Sequence, residues 1–269
     1  AAEYYLAREN LFIVDERQKV RLAIDRLGLS SLHEFNPNEK IIEYMIDDRS
    51  DGPLIGKTVR EFVEAVGART PAPGGGSAAA LIAALGVALG SMVGWLTYGR
   101  RKFEHLEAHV RANLPTLVEL QDQLLRAIDR DTEAYNDYMV ALGMPKGSDQ
   151  EIATRRAAMQ EGLKNATRVP LEAMELIDKA WTPMLELARI GQFSSRSDLE
   201  VGAKALEAGL YGAHRNVLIN LEGVKDAAFK QELEQRAVAL MERGRARFAE
   251  IQAVVGARTG DVQPGTKTT

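Results

Sequence analysis

The segment PAPGGGSAAALIAALGVALGSMVGWLTYGRRK, residues 71–102, joins a glycine-rich turn, a long stretch without charge and a basic end. Its three consecutive glycines, Gly74, Gly75 and Gly76, have no Cβ atoms, so their N–H groups can converge on a ligand or another chain can approach closely. Ser77 follows at the position expected for a helix N-cap. The segment therefore predicts a close approach, of a ligand or of another part of a protein, at the start of a helix.

The stretch from residue 78 to residue 98 contains no charged residue, and Gly86, Gly90 and Gly94 recur along it every four residues. This spacing puts the glycines on one stripe of a helix, where a neighbouring helix can pack closely. The stretch could be a membrane span, part of a phosphate-binding loop or a central helix buried in a bundle. The third interpretation is favoured, because inserting spans are rich in Leu, Ile, Phe and Val, and because the Gly-Lys-Ser/Thr of a phosphate loop is missing.

The composition excludes several kinds of site. The chain has 269 residues with a formal net charge of −4, which gives no sign of the basic excess of a nucleic-acid binder. Cysteine is absent, so the chain has no disulfide, no thiol nucleophile and no sulfur-ligated zinc. His105 and His109 are spaced by one helical turn, but no His-Glu-x-x-His pattern accompanies them. We expect a solvated helix face there and no metal.

No run alternates apolar and polar residues for long enough to predict a strand. We therefore expect an all-α fold, a bundle of long helices around the Gly/Ala-rich central helix. Four regions follow from composition: short helices over 1–46 (at 2–8, 16–27 and 38–46), a polar linker at 47–57, a helical domain over 58–257 and a disordered tail at 258–269. Thr58 and Glu61 predict a capping box at the start of the domain. Because the chain begins without Met, we expect it to be part of a longer protein.

A carboxylate interrupts the apolar stripe of the long helix predicted at 103–142. The stripe consists of Leu117, Leu120, Leu124, Ile128, Asp131, Tyr135, Tyr138 and Leu142. Its spacing puts Asp131 on the buried face, whereas Asp129 and Glu133 lie off that face and are expected to be solvated. A carboxylate within an apolar stripe has to be hydrogen-bonded, ion-paired or poised for proton transfer. From the residues alone, a structural and a catalytic Asp131 are both open.

The second half of the domain repeats the small-residue pattern of the central helix. Two helices are predicted first, at 150–166 and 169–189, with Pro170 at the start of the second or kinking it. The next helix carries a face made of Gly202, Ala205, Gly209, Gly212, Asn216 and Asn220, which we expect to pack against the central helix. Asn216 and Asn220 are one turn apart and can bond either a neighbouring helix or a ligand.

Five motifs occur in a fixed order along the chain. They are the glycine turn, Tyr98-Gly99-Arg100-Arg101-Lys102, Asp129-x-Asp131-x-Glu133-Ala134, Ser195-Arg196-Ser197-Asp198-Leu199 and Gly212-Ala213-x-x-Asn216-Val217-x-Ile219-Asn220. In this order they resemble the cyclodeaminase domain of the formimidoyltransferase-cyclodeaminase family, over nearly all of residues 58–257. Residues 1–46, with Glu3-Tyr4-Tyr5 and Lys40-Ile41-Ile42-Glu43-Tyr44, look like the end of the transferase part that precedes this domain.

The resemblance implies an enzyme of histidine degradation that converts 5-formimidoyltetrahydrofolate to 5,10-methenyltetrahydrofolate and releases ammonia. It implies a cytoplasmic homodimer or larger homo-oligomer that works beside a formimidoyltransferase domain, with neither nucleic acid nor a membrane as partner. No permanently bound cofactor is expected, since tetrahydrofolate, as the polyglutamate, arrives as the substrate carrier. The family's catalytic aspartate falls on Asp131, whose carboxyl group can take a proton from N10 and give it to the departing nitrogen.

The resemblance also implies substrate contacts. These fall on Gly74, Gly75, Gly76, Ser77, Arg100, Arg101, Lys102, Asp198, Asn216 and Asn220. The three basic residues suit the glutamate tail of a folate by their charge density, although they can equally be an exposed helix end. Two other functions stay open, a methenyltetrahydrofolate cyclohydrolase, which shares this domain, and a helical assembly module without catalysis. The transferase-like residues 1–46 favour the deaminase.

Overall fold

The computed structural model describes residues 1–46 and 52–265. Within these two ranges all regular structure is helical, which confirms the all-α prediction. The helices are α1 (Ala2–Glu9), α2 (Glu16–Leu27), α3 (Pro37–Lys40), α4 (Ile42–Ile46), α5 (Val59–Val66), α6 (Gly75–Thr97), α7 (Glu107–Leu142), α8 (Asp149–Ile190), α9 (Arg196–Glu222) and α10 (Ala227–Ala257), with 3₁₀ turns at Arg101–Leu106 and Phe193–Ser195. The chain divides into two compact units, Ala1–Asp51 and Gly52–Thr269. The first five residues of the predicted linker, 47–51, lie outside the described residues.

The N-terminal unit is stabilised by helix caps and exposed polar pairs. The Asp15 side chain caps α2 by accepting from the Gln18 N–H at 2.8 Å. Arg26 of α2 pairs with Glu9 of α1 at 2.6 Å. The helix predicted at 38–46 is two helices in the structure, because the backbone at Ile41 is extended, with φ −105° and ψ 117°. The prediction of a single helix was wrong at that residue.

The central helix α6 begins earlier than the sequence indicated. Its N-cap is Gly74, and Gly75 and Gly76 are already helical. Ser77 lies inside the first turn with a fully buried side chain. The prediction of Ser77 as the N-cap was therefore wrong. In contrast, the capping box of α5 is confirmed, since the Thr58 and Glu61 side chains each bond the other residue's backbone N–H.

Two helices, α7 and α9, cover most of α6, and its three stripe glycines are all buried. A Cβ added to Gly86 would lie 2.7 Å from the Gly202 carbonyl oxygen of α9, so the two backbones touch there. Gly209 of α9 lies against Ala79 in the same way, at 2.8 Å from its carbonyl oxygen. The predicted small-residue contact is confirmed. Because the higher-numbered glycine of α9 faces the lower-numbered residue of α6, the two helices are antiparallel.

By length and composition, α6 is also the one helix within the described ranges that could cross a bilayer. More than half of its most apolar window, 56%, is buried within the protein. Four large side chains nevertheless stay exposed on it, namely Ile82, Leu85, Met92 and Trp95. Their spacings of three, seven and three residues put them on one face of the helix. We call these four residues the exposed stripe of α6.

The long helix α8 runs unbroken for 42 residues, where two helices were predicted. Pro170 and Pro183 both lie inside it and are buried. Proline removes one helical hydrogen bond and usually ends or bends a helix. Here α8 packs against α7, α9 and α10, and this tertiary contact keeps both sides of each proline helical. Pro115 lies inside α7 in the same manner.

Residues after α10 return to the bundle. Arg258 donates to the carbonyl oxygens of Ala188 and Gly191, at 2.9 and 2.7 Å. Asp261 accepts from the Phe193 N–H at 2.7 Å and pairs with Lys102 at 2.6 Å. The expectation of a disordered tail over 258–269 therefore differs from the structure at residues 258–261, where two charged side chains find partners on the bundle. Residues 266–269 lie outside the described part of the chain.

Candidate active site

Asp131 lies where α7 passes the first turn of α6. A Cβ added to Gly76 would be 2.0 Å from Asp131 Oδ1, so the carboxyl group fills the space that any larger residue at position 76 would need. Ser77 Oγ lies 3.1 Å from Asp131 Oδ2 and can donate to it. The glycine-rich start of α6 therefore serves to seat one carboxyl group, and the close approach predicted at these glycines is made by α7.

The environment of Asp131 suits proton transfer. Burial raises the pKa of its carboxyl group above the ordinary 3.8, while hydrogen bonds from the Ser77 side chain and backbone offset part of the rise. The residue nevertheless keeps some exposure, so a ligand can reach it. A carboxyl group of raised pKa can act as base and then as acid closer to neutral pH. Both the predicted burial and the predicted proton-transfer chemistry are compatible with this position.

Asp129, two residues earlier on α7, was expected to be solvated, and this was wrong. It is buried and accepts hydrogen bonds from the N–H groups of Leu54 and Ile55, at 2.7 and 3.1 Å. A Cβ on Gly52 would lie 2.4 Å from its carboxyl group. Asp129 thus anchors the segment before α5, which covers a second face of α7. Glu133 is exposed, as expected.

The two asparagines of α9 lie at the same end of α6. The Asn216 amide nitrogen is 3.4 Å from the place of a Cβ on Gly75, and it donates to the Gly212 carbonyl oxygen at 2.9 Å. Asn220 donates to the Ala166 carbonyl oxygen of α8 at 2.7 Å. Each side chain is partly exposed. The N–H groups therefore brace helices, and the amide oxygens are the atoms best suited to a ligand.

The basic residues lie at the other end of α6. Its 23 residues span about 33 Å. Beyond its C-terminal end, Arg100 bonds the Gln192 side chain, and Lys102 pairs with Asp261. Arg101 is exposed there as well. Asp198 lies in the first turn of α9, which the antiparallel packing puts at this same end.

The predicted site is therefore divided between two places in one chain. Gly74, Gly75, Gly76, Ser77, Asp131, Asn216 and Asn220 form one group, and Arg100, Arg101, Lys102 and Asp198 form the other. The two groups are too far apart to contact one pterin ring together. Ser77, expected to bind substrate, has a fully buried side chain, and within the described part of the chain the hydrogen bonds of its hydroxyl go to α7. Thr132, whose hydroxyl reaches Ser77 at 3.2 Å, was missed, because nothing in its spacing distinguishes it from an ordinary helix residue.

The histidine pair spans the start of α7. His105 lies in the 3₁₀ turn, with Nε2 3.1 Å from the Val262 carbonyl oxygen. His109 lies in α7, with Nδ1 2.9 Å from Glu186 Oε1. Both side chains keep contact with solvent, as expected, but they do not lie on one α-helix, since α7 begins between them at Glu107. Over residues 1–46 and 52–265 no group of three or more His, Asp or Glu side chains is arranged to hold a metal ion.

Two family models match the sequence. The model described as Formiminotransferase-cyclodeaminase matches residues 58–239, and the model described as Formiminotransferase domain matches residues 1–47. A formimidoyltransferase-cyclodeaminase of Dictyostelium discoideum is 47% identical over 260 residues, 96% of this chain and 48% of that protein. The chain thus spans about half the length of the bifunctional relatives it matches.

A shorter relative and a solved structure complete the comparison. A methenyltetrahydrofolate cyclohydrolase of Methylorubrum extorquens is 38% identical over 176 residues, 65% of this chain and 85% of that protein. The crystal structure of a formiminotetrahydrofolate cyclodeaminase from Thermotoga maritima has a TM-score of 0.67 at 24% identity, covering 75% of this chain and 96% of that one. That likeness shows a shared helical bundle.

The fold and the site define an all-helical domain with one partly buried carboxyl group at the glycine-built start of its central helix. The chain belongs to the formiminotransferase-cyclodeaminase family, whose model matches more than half of it.

Proposed function

We propose that the unit beginning at Gly52 cyclises 5-formimidoyltetrahydrofolate to 5,10-methenyltetrahydrofolate and releases ammonia. The proposal rests on Asp131, which has a partly exposed carboxyl group whose pKa is raised by burial. Relatives named formimidoyltransferase-cyclodeaminase, at 43% and 47% identity, support this choice of reaction. The chain is then an enzyme with Asp131 as its catalytic residue.

Asp131 carries one proton through the reaction. N10 attacks the formimidoyl carbon attached to N5, and a new N10–C bond closes the ring. Ionised Asp131 takes the proton that N10 loses and gives it to the former imino nitrogen, whose bond to carbon then breaks as ammonia leaves. The cationic formimidoyl group and the methenyl product are both stabilised by a nearby carboxylate. A single carboxyl group with a raised pKa suffices for both transfers.

The substrate is a tetrahydrofolate, and no permanently bound cofactor takes part. We place the pterin beside Gly74 and Gly75, where the first turn of α6 presents backbone N–H groups, within reach of the Asn216 and Asn220 amide oxygens. The polyglutamate tail is assigned to Arg100, Arg101 and Lys102. Residues 1–47, which match a formiminotransferase domain, support a transferase as the neighbouring domain in a bifunctional enzyme. We place this enzyme in the cytoplasm.

A homodimer formed through the exposed stripe of α6 would bring the two groups of predicted site residues together, one group from each protomer. Leu85 and Trp95 of that stripe are 54% and 43% exposed, which is costly for large apolar side chains in water. A two-fold interface uses the same patch on both copies. With the two α6 helices antiparallel, the basic end of one protomer meets the Asp131 end of the other. Leu85→Glu is expected to give a monomer in sedimentation, and an unchanged oligomer would contradict this interface.

A cyclohydrolase is the second candidate, because the Methylorubrum extorquens relative of that name spans 65% of this chain. In that reaction water attacks the methenyl carbon, and the same carboxyl group can remove its proton. A helical assembly module without catalysis is the third candidate. It draws on the small-residue packing of α6 and α9, which needs no ligand.

One assay separates the three candidates. The purified chain is incubated with synthetic 5-formimidoyltetrahydrofolate, and ammonia and methenyltetrahydrofolate are measured together. We expect equal initial rates of both products. A parallel incubation with methenyltetrahydrofolate measures its hydrolysis. Hydrolysis without ammonia release would assign the cyclohydrolase, and inactivity in both incubations would assign the assembly module.

A further inference from the structure

The Ser77 side chain is completely enclosed, although it sits in the turn where the substrate is proposed to bind. Three oxygen atoms surround its Oγ. The Ile128 carbonyl oxygen lies at 2.9 Å, Asp131 Oδ2 at 3.1 Å and Thr132 Oγ1 at 3.2 Å. All three belong to α7. Ser77 is therefore joined to the element that carries Asp131 and has no path to a ligand.

A count of protons shows what this arrangement can do. A serine hydroxyl has one proton to donate and lone pairs to accept with, and a backbone carbonyl can only accept. When Asp131 is ionised, Ser77 donates to Oδ2, and Thr132 can donate to Ser77 Oγ. When Asp131 is protonated, its own O–H can donate to Ser77 Oγ, and the Ser77 proton turns to the Ile128 carbonyl oxygen. Rotation about one C–O bond thus provides a hydrogen bond in both states.

We propose that Ser77, supported by Thr132, is a positioning residue that holds the Asp131 carboxyl group in one place in both of its protonation states. This inference rests on the proposed function, in which Asp131 acts first as base and then as acid. Gly76 fixes the other side of the carboxyl group by close contact with Oδ1. Gly76 and Ser77 together therefore hold the Asp131 carboxyl group in one position, both when it is ionised and when it is protonated.

The charged side chains around Asp131 do not hold its carboxyl group, so the positioning role falls to the hydroxyl groups of Ser77 and Thr132. From α6 the neighbours of Asp131 are Gly76 and Ser77, and from α9 the neutral Asn216 lies beside Gly75. On α7, Arg130 is exposed and pairs with Glu172 of α8, and Glu133 is exposed. Asp129 faces the Leu54 and Ile55 N–H groups instead. The pKa of Asp131 responds to burial first and then to Ser77, with no charged side chain among its causes.

The test compares two serine-to-alanine changes in the same helix. Ser77→Ala removes the hydroxyl beside Asp131. Ser91→Ala removes a hydroxyl from another buried serine of α6, one whose Oγ has no hydrogen-bond partner among the described residues. For Ser77→Ala we expect kcat to fall about tenfold, because a hydrogen bond to an ionised group is lost, with KM changed far less. For Ser91→Ala we expect wild-type kinetics. An equal kcat for the two variants would overturn the proposal.

The pH profile separates positioning from a purely structural role. Since the hydrogen bond from the Ser77 side chain lowers the pKa of Asp131, its loss in Ser77→Ala should move the acid limb of the kcat profile to higher pH. A variant that is only partly folded would lose activity equally at every pH. Thr132→Ser keeps a hydroxyl and should retain the wild-type profile, whereas Thr132→Val should shift it in the same direction as Ser77→Ala. An unshifted limb in Ser77→Ala would contradict the proposal.

A measurement without substrate keeps the inference separate from the proposed reaction. The carboxyl carbons of aspartate-labelled protein are titrated by NMR, and the Asp131 signal is assigned by its absence in Asp131→Asn. We expect the pKa of Asp131 to be higher in Ser77→Ala than in the wild type and in Ser91→Ala. Equal values in all three would overturn the positioning role. An inactive wild type with a shifted Asp131 pKa would overturn only the reaction.

Discussion

The two ends of α6 shift the pKa of a carboxyl group in opposite directions. At the N-terminal end, burial raises the pKa of Asp131, and only Ser77 acts against that rise. At the C-terminal end burial also acts to raise the pKa of Asp261, but hydrogen bonds from Lys102 and the Phe193 N–H, with the charge of Arg258, lower it overall. The first carboxyl group is suited to exchange a proton, and the second to remain a charge. The difference supports the proposal that proton transfer takes place at the Asp131 end.

Asp131→Asn should have the largest effect of any single change. The amide has the size of the carboxyl group but cannot transfer the proton, so kcat should fall about a hundredfold or more. The matched change at the other end, Asp261→Asn, should leave kcat unaltered. Rates of ammonia release at saturating substrate measure both. Near-normal turnover in Asp131→Asn would make Asp131 a structural residue and remove the contrast between the ends.

Asp131→Asn should also change how the stability of the protein depends on pH. The folded-state pKa of Asp131 lies above the ordinary 3.8, so the folded protein binds this proton more tightly than the unfolded chain. Its contribution to stability is complete below that ordinary value and is lost as the pH rises through the folded-state pKa. Asn does not ionise and avoids this loss. The free energy of unfolding of Asp131→Asn, relative to the wild type, should therefore increase with pH, as urea titrations would measure.

Two glycines make the next comparison, because each stands near one end of α6 for a different reason. Gly76 leaves room for Asp131, whereas Gly99 has φ +71° and open space around its Cβ position. Gly76→Ala should displace the carboxyl group and lower kcat by about tenfold to a hundredfold. Gly99→Ala should destabilise the protein by about 1–2 kcal/mol without changing kcat. Kinetics and urea unfolding of both variants test this, and a kcat in Gly76→Ala like that of Gly99→Ala would refute it.

The sequence predicted the features that depend on local periodicity. The capping box of Thr58 and Glu61, the burial of the α6 glycines and the inward position of Asp131 all follow from spacing along one helix. Asp129 was missed because its partners, Leu54 and Ile55, lie about seventy-five residues earlier in the chain. A stripe of period 3.6 reports one covered face and cannot reveal a second face covered by a loop.

Ser77 and the division of the site were missed for tertiary reasons as well. A serine after three glycines has the pattern of an N-cap, whereas in the structure the two preceding glycines are already helical and lie against α7 and α9. The motifs that carry the resemblance are ordered along the chain, but α6 alone separates two of them by about 33 Å. Order in sequence therefore predicts which residues to consider and carries no information on how far apart they lie.

The smallest effects are expected at the basic end, where the charges are exposed and are screened beyond about 8 Å at physiological ionic strength. Asp261 already holds Lys102 at 2.6 Å, in the way that a glutamate carboxylate of the substrate tail would. Asp261→Asn should remove this competitor and lower KM for a polyglutamylated substrate by up to about fivefold, the range of an exposed ion pair.

Reversing Arg100 and Lys102 to Glu should raise the same KM, with little effect on the monoglutamate or on kcat, and both changes should fade as salt is added. KM measured for both substrates at low and high salt tests this. If the monoglutamate lost affinity equally, the basic residues would contact the pterin or support the fold, and the tail site would lie elsewhere.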